Sequence, residues 1–186
     1  MTHYEITIAG VTRKLPICKI HDNLFIAGFV IFGDVEMTMK AAKALIDIAP
    51  EYDVIITAES KGIPLVYEMA RLKDAQKYIV ARKKPKLYME EPISVEVKSI
   101  TTDGVQELYL DVNDVNYIKG KRVLIVDDVI STGESLLALE QLVQIAGGQI
   151  CGKMAILAEG EARDRKDIIY LKELPLFDED FNEIWA

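Results

Sequence analysis

One stretch of the chain decides its fold, Val123-Leu124-Ile125-Val126-Asp127-Asp128-Val129-Ile130-Ser131-Thr132-Gly133-Glu134-Ser135. Its apolar start predicts a buried strand over residues 122–127, with a pair of carboxylates at the carboxyl end. Hydroxyl side chains and a glycine then open onto residues 132–146, whose apolar positions repeat with helical spacing as far as Gly147-Gly148. A buried strand followed directly by a helix is the repeating unit of a parallel sheet with crossover helices.

The same unit recurs on both sides of this stretch. Residues 53–58, 77–81 and 153–158 are short apolar runs that predict further buried strands. Helices are predicted over residues 34–49, with Asp34 as the N-cap, and from Gly62 onward. The pattern therefore predicts an α/β fold built on an open, mostly parallel sheet flanked by helices.

Two regions interrupt the alternation of strands and helices. Residues 93–100 and 105–110 predict the strands of a projecting β-hairpin, because the Asp103-Gly104 pair between them is a hairpin turn signal. Near the N-terminus, short strands are predicted over residues 4–9, 13–20 and 24–32. We expect these strands to form a small hood over one end of the sheet.

No internal repeat and no linker composition divides the chain, so a single domain over residues 1–186 is predicted. Within it, residues 1–33 form the hood, residues 34–175 the α/β core and residues 176–186 a C-terminal tail. The tail carries Phe177, Phe181 and Trp185 at four-residue spacing, which is typical of an amphipathic packing segment.

Composition excludes several classes of protein. Lys and Arg total 22 against 30 Asp and Glu, a net charge of −8, which is the wrong sign for coating nucleic acid or an anionic membrane. Neither a signal pattern nor a run long enough to span a membrane is evident, so a cytoplasmic protein is expected. Cys18 and Cys151 lie far apart in the sequence and indicate neither a disulfide framework nor a zinc site.

The deciding stretch also predicts a ligand. Strand ends and helix N-termini in open α/β sheets bind anions, so this loop predicts a seat for a phosphate, with hydroxyl donors from Ser131, Thr132 and Ser135 and a close backbone approach at Gly133. Asp127 and Asp128 are suited to accept hydrogen bonds from sugar hydroxyls, and a ribose phosphate satisfies both halves. Taken singly, the carboxylate pair also suits a Mg²⁺ site of the response-regulator kind, and the loop suits a simple helix cap.

Taken together, these residues resemble the ribose-phosphate motif of the type I phosphoribosyltransferase family. From about Phe25 onward the chain is similar to the purine branch, most of all to adenine phosphoribosyltransferases. The resemblance implies transfer of a phosphoribosyl group from phosphoribosyl pyrophosphate to a purine base, adenine by first preference, by a homodimer. It also implies Mg²⁺ bound with phosphoribosyl pyrophosphate, with Asp127 and Asp128 as its candidate protein ligands, and Asp127, Asp128 and Lys84 as catalytic residues. The 5′-phosphate is implied to lie against Val129, Ile130, Ser131, Thr132, Gly133, Glu134 and Ser135.

The pyrophosphate is expected between two further segments. The family holds it on a loop after an earlier strand, where this chain has Ser60, Lys61 and Gly62. The basic run Arg82-Lys83-Lys84-Pro85-Lys86 resembles the family's cationic segment before a mobile loop, which implies pyrophosphate or cross-subunit contacts for Arg82, Lys83 and Lys86. The alternatives are a simple N-cap at Ser60 and a solvated charged face at the run.

The base site is predicted less directly. The resemblance places the purine between the hood, near Phe25 and Ile26, and Glu159 at the end of a parallel strand. Adenine enzymes carry a Glu at the hairpin tip as a proton-transfer candidate, whereas this chain has Thr102 and Asp103 before Gly104. Two other functions stay open, namely a xanthine or hypoxanthine-guanine phosphoribosyltransferase and a non-catalytic sensor of phosphoribosyl pyrophosphate.

Overall fold

The structure is a computed structural model that describes residues 3–98 and 105–185. Its elements, in chain order, are β1 (His3–Ile8), β2 (Val11–His21), β3 (Leu24–Ala27), α1 (Val35–Ile48), β4 (Val54–Ala58), α2 (Ile63–Leu72), β5 (Ile79–Ala81), β6 (Ile93–Lys98), β7 (Val105–Leu110), α3 (Val112–Ile118), β8 (Arg122–Ile130), α4 (Glu134–Ile145), β9 (Gln149–Glu159), a 3₁₀ helix (Gly160–Asp164), β10 (Ile169–Leu174), β11 (Leu176–Phe177) and β12 (Glu183–Ile184). The order of strands and helices confirms the predicted α/β class.

The central sheet has the strand order β10-β9-β8-β4-β5, and each pair of neighbours is parallel. Alternate side chains of β8 enter two separate cores because successive residues of a strand point to opposite faces. Leu124 and Val126 pack with α1 and α2, whereas Val123 and Ile125 pack with α4 and the hairpin. The sheet is thus covered on both faces, as its continuous apolar strands require.

Helix α1 begins where the sequence predicted, after Asp34. Asp34 is its N-cap, and the Asp34 carboxylate accepts a hydrogen bond of 3.1 Å from the backbone N–H of Met37. Arg13 of β2 donates to the same carboxylate over 2.7 Å, which attaches the hood to the start of α1.

The hood is a second sheet, with the strand order β1-β2-β3-β11-β12. Its last two strands come from the tail, because Leu176 pairs with Ile26 of β3. The tail aromatics therefore pack from strands and a turn rather than along a helical face. Phe177 lies against Tyr4 and Phe181 against Phe25, each with ring centroids 5.3 Å apart.

Several boundaries differ from the sequence expectation. Strand β8 continues to Ile130 because Asp127, Val129 and Ile130 still pair with β9, so the carboxylates lie inside the strand rather than after it. Helix α4 begins only at Glu134, since Gly133 adopts a left-handed φ of 83° that no helix continues through. Helix α3 and strand β10 have no counterpart among the predicted elements.

The hairpin strands β6 and β7 pair antiparallel as predicted, from Ile93–Leu110 to Lys98–Val105. The predicted turn, including Thr102, Asp103 and Gly104, lies outside the described residues. Of the helices that the structure describes, not one combines the length and apolar character needed to cross a membrane.

Candidate functional site

The carboxyl ends of β4, β5, β8 and β9 meet at one edge of the sheet, and the predicted site residues follow those ends. Asp127 and Asp128 of β8 lie at the centre. The Asp127 Oδ1 atom accepts hydrogen bonds from the Ser60 hydroxyl at 3.2 Å and from the backbone N–H of Asp128 at 2.9 Å. Burial, followed by the negative charge of Asp128, raises the pKa of Asp127 to about 7.

Asp128 is the more deeply buried of the two carboxylates, with 4% of its surface exposed. Its Oδ2 atom lies 3.0 Å from the Nζ atom of Lys61, which also donates a hydrogen bond of 2.8 Å to the carbonyl oxygen of Phe29. Lys61 thus compensates a buried negative charge and holds the segment between the hood and α1 against the site.

The loop after β4 fits closely over the acidic pair. A Cβ atom added to Gly62 would lie 2.6 Å from Thr57 Oγ1 and 3.0 Å from Asp127 Oδ1, which is closer than van der Waals contact allows. The Gly62 N–H in turn donates to the Ser60 hydroxyl at 3.2 Å. The structure therefore brings Ser60, Lys61 and Gly62 together with Asp127 and Asp128.

The predicted phosphate seat surrounds a small cavity of about 130 Å³. All seven predicted residues line it, together with Ile125, Asp127, Leu136 and Leu139. The cavity lies where the N-terminus of α4 begins, so the first backbone N–H groups of the helix and its positive dipole end are available to an anion.

A larger cavity of about 450 Å³ adjoins the seat, because Ser131 and Thr132 line both. Its volume lies within the range of small-molecule pockets. The other residues that line it are Ile20, His21, Leu24, Glu159, Gly160, Glu161, Ala162, Arg165 and Leu176. The hood thus forms one wall, and the end of β9 with the 3₁₀ helix forms the other.

Of the three predicted base-site residues, only Glu159 lines this cavity. Burial raises the pKa of its carboxyl, which accepts a hydrogen bond from the Ser131 side chain. Phe25 instead packs against Phe181, and Leu24 is the residue of β3 that lines the cavity.

The basic run of residues 82–86 contacts the side chain of Glu59. The Lys83 N–H donates to Glu59 Oε2 at 2.9 Å, while Arg82 Nη2 and Lys86 Nζ lie 3.0 and 3.5 Å from Glu59 Oε1. The hydrogen bond from Lys83, together with these cations, lowers the pKa of Glu59. Because Glu59 precedes Ser60, the run lies beside the loop over the acidic pair, and the Lys84 side chain is exposed there.

Sequence reasoning missed Arg165, His21 and Glu161, which line the larger cavity. Arg165 stands two positions before Asp167, with which it forms an ion pair. That spacing is the one feature of the sequence that could have indicated an Arg side chain held in a fixed orientation. Neither periodicity nor a motif indicates which cation of the Arg163-Asp164-Arg165 segment faces the cavity.

Asp127 and Asp128 could hold a magnesium ion only if a bound substrate supplied further oxygen ligands. Among residues 3–98 and 105–185, no cluster of three or more His, Cys, Asp or Glu side chains is arranged to hold a metal ion. Asp127 and Asp128 supply carboxylate oxygens at one point, and Mg²⁺ commonly binds to one or two carboxylates plus the phosphates of a substrate.

Comparison with known proteins identifies the relatives of this chain. A model of the phosphoribosyl transferase domain matches residues 36–185. A protein from Methanotorris igneus named hypoxanthine/guanine phosphoribosyltransferase is 38% identical over 111 residues, which is 60% of this chain and 56% of that protein. A protein of the same name from Methanothermococcus okinawensis is 35% identical over 130 residues, 69% of this chain and 67% of its own. The chain therefore spans just over half of the first relative.

Solved structures of similar shape carry a different name. An adenine phosphoribosyltransferase from Rhodothermus marinus superposes with a TM-score of 0.64 at 24% identity, covering 93% of this chain and 94% of its own. The Saccharomyces cerevisiae enzyme, solved with adenine and an imino-altritol bisphosphate, gives 0.63 at 19% identity, covering 92% of each chain. At such identities the likeness establishes the fold.

Proposed function

This chain belongs to the phosphoribosyl transferase domain family, and from that premise we propose that it transfers the phosphoribosyl group of phosphoribosyl pyrophosphate to a purine base. The products are a nucleoside monophosphate and pyrophosphate. The observation that carries the proposal is the position of Asp127 and Asp128 between the phosphate seat and the Ser60–Gly62 loop, with a cavity of about 450 Å³ next to them.

Different residues of the site contact different parts of the substrate. Asp127 and Asp128 accept hydrogen bonds from the ribose hydroxyls, and residues 129–135 hold the 5′-phosphate. As the bond from the ribose C1 atom to pyrophosphate breaks, positive charge develops on the sugar ring. The two carboxylates lie where they would stabilise that charge electrostatically, which is the largest contribution in many enzymes.

The leaving group requires positive charge on the opposite side of the ribose. Ser60, Lys61 and Gly62 offer a hydroxyl, a cation and a backbone N–H next to the acidic pair. Arg82, Lys83 and Lys86 lie beside this loop through Glu59. We assign the exposed Lys84 of the same run to contact with the bound pyrophosphate. When Mg²⁺ is bound with the substrate, it neutralises the charge of the pyrophosphate oxygens.

The base is proposed to lie in the cavity between the hood and Glu159. The Glu159 carboxylate suits the N–H groups of a purine edge, while Leu24 and Leu176 supply apolar contact. Adenine is the preference that the sequence motifs suggest. Hypoxanthine and guanine are favoured instead by the names of the relatives in Methanotorris and Methanothermococcus.

Pyrophosphate release tests the proposal. The protein is incubated with phosphoribosyl pyrophosphate and Mg²⁺, and adenine, hypoxanthine, guanine and xanthine are added one at a time. Release with one base establishes the reaction and the substrate, and the Asp127→Asn, Asp128→Asn double variant should abolish it while remaining folded. If the protein binds phosphoribosyl pyrophosphate yet releases no pyrophosphate with any of the four bases, transfer to these purines is refuted and the sensor function is favoured.

We further propose a homodimer formed by a single domain over residues 1–186. Support comes from an apolar groove of about 440 Å³ beside α1 and α2, where Val35, Met39 and Tyr67 are each at least half exposed. A second copy of the chain would remove this apolar surface from water. The cytoplasmic location stays a prediction.

A further inference from the structure

Arg165 is held in one orientation by a neighbouring carboxylate. Its Nε atom donates to Asp167 Oδ1 at 3.0 Å and its Nη2 atom donates to Asp167 Oδ2 at 2.7 Å. Two parallel hydrogen bonds of this kind fix the plane of the guanidinium as well as its position. The remaining nitrogen, Nη1, is therefore directed away from Asp167.

That third nitrogen packs against the turn that starts α4. A Cβ atom added to Gly133 would lie 2.5 Å from Arg165 Nη1. Two features of the structure therefore require glycine at position 133. One is its left-handed φ, and the other is the close approach of the Arg165 guanidinium. Arg165 also lines the larger cavity together with Ser131 and Thr132, which are the residues it shares with the phosphate seat.

Asp167 is itself fixed from a second direction. Lys153 of β9 forms ion pairs with both Asp167 and Glu140 of α4. Arg165 and Lys153 together lower the pKa of Asp167, so this carboxylate stays ionised at neutral pH. The position of Arg165 is consequently coupled to the helix whose N-terminus forms the seat.

The negative charge around the phosphate seat favours a positively charged side chain such as Arg165 beside the phosphate. A phosphate monoester carries close to two negative charges at neutral pH. Asp127 and Glu134 line the seat, and Asp128 is the next residue of β8 after Asp127. The nearby Lys61 forms an ion pair with Asp128, whereas Arg165, although paired with Asp167, holds its Nη1 atom against the turn that starts α4. A charged donor at that position adds to the hydroxyl groups, the backbone N–H groups and the helix dipole in offsetting the repulsion between the phosphate and these carboxylates.

We propose that Arg165 binds the 5′-phosphate of the substrate through Nη1, and that Asp167 is the positioning residue for it. The inference rests on the proposed function, because it takes the 5′-phosphate to lie in the seat formed by residues 129–135. It adds a side-chain cation from outside that segment to the recognition of the phosphate monoester.

Equilibrium binding of two probes tests the proposal. Ribose 5-phosphate reports on the seat, and Mg²⁺-pyrophosphate reports on the opposite side of the ribose site. Arg165→Met is expected to raise the Kd for ribose 5-phosphate about 10- to 100-fold, the usual effect of losing a charged hydrogen bond, and to leave the Kd for pyrophosphate unchanged. Arg165→Lys and millimolar guanidinium added to the Met variant should each restore part of the affinity.

Arg163→Met is the matched control, since Arg163 lies in the 3₁₀ helix that ends directly before Arg165 but stacks on Trp185, with its guanidinium carbon 4.3 Å from the ring centroid. It should leave both dissociation constants unchanged. Asp167→Asn should weaken ribose 5-phosphate alone, by less than Arg165→Met does.

Equal losses for both probes in Arg165→Met would overturn the proposal, because they indicate a merely structural role. An unchanged Kd for ribose 5-phosphate would overturn it as well, even where the wild type transfers phosphoribosyl groups to a base. Selective loss of ribose 5-phosphate in a protein that transfers to none of the bases would uphold the role of Arg165 and refute the enzymatic function.

Discussion

Lys61 and Asp128 form an ion pair of 3.0 Å that joins the loop after β4 to the acidic end of β8. The Asp128 side chain is almost completely buried, whereas 39% of the Lys61 side chain is exposed. Removing the cation would leave a buried charge without compensation. We therefore expect Lys61→Met to lower the free energy of unfolding by about 1–3 kcal/mol, measured by urea denaturation. The loss should shrink in an Asp128→Asn background, and an equal loss in both backgrounds would show that the pair is not its cause.

The raised pKa of Asp127 predicts a pH dependence of stability. The carboxyl has an ordinary pKa of 3.8 and a pKa of about 7 in the folded protein. Between these values the folded state retains a proton that the unfolded chain has lost, so the free energy of unfolding falls as the pH rises from about 4 to about 7. Asp127→Asn should remove this fall in denaturation measured with EDTA present. Asp22→Asn, at a fully exposed carboxylate, is the control and should leave the slope unchanged.

Gly62→Ala tests how closely the loop fits over the acidic pair. The added methyl group would meet Thr57 Oγ1 and Asp127 Oδ1, so we expect a loss of about 1–3 kcal/mol in stability and a sharp drop in turnover. Gly28→Ala is the matched control because its methyl group would find only ordinary contacts, the nearest at 3.5 Å. Wild-type stability and turnover in Gly62→Ala would contradict the described packing.

Lys84→Ala tests whether the basic run acts on the leaving group. The Lys84 side chain is exposed, so the melting temperature should stay unchanged. Turnover is expected to fall, and inhibition by added pyrophosphate should weaken as a positive charge is removed from its binding side. Lys40→Ala, which removes an exposed lysine from α1, controls for net charge. A lower melting temperature without an effect on pyrophosphate inhibition would assign the run a structural role.

The proposed homodimer can be tested at the apolar groove beside α1 and α2. Val35 is 68% exposed, so Val35→Lys should leave the fold intact while placing a charge in the interface. Light scattering after gel filtration should then report a monomer in place of a dimer. Ile145→Lys, at a 60% exposed residue of α4, should stay dimeric. If the Val35→Lys variant remains a dimer, the contact between the two copies lies on another face of the protein.

The sequence predicted the sheet and its crossover helices, and it indicated the loop that lines the small cavity before α4, because all three depend on local patterns. Apolar runs and helical spacing determine which segments lie inside, and the hydroxyl-glycine loop is contiguous with the strand that precedes it. The sequence did not indicate that the tail adds strands to the hood, but it predicted that Phe177, Phe181 and Trp185 pack. Their partners Tyr4, Phe25 and Arg163 belong to distant segments that no local pattern indicates.

The base cavity was predicted only in part for the same reason. Glu159 could be found because it ends a recognisable strand. Leu24 lines the cavity in place of Phe25 because successive residues of a strand point to opposite faces, and Phe25 faces Phe181 of the tail. Which face of β3 meets the cavity depends on the pairing of the hood strands with the distant tail, and no local pattern indicates it.

The pairing of Leu176 with Ile26 sets an order of events during folding. Strands β8, β9 and β10 of the central sheet follow one another in the chain, and β4 pairs with β8 over a shorter separation than the one between β3 and β11, which spans most of the chain. Closing the longer loop costs more entropy and is slower. We expect a nascent chain to acquire its phosphate seat first, and the ligand cavity walled by Leu24 and Leu176 to be completed as the last step of assembly.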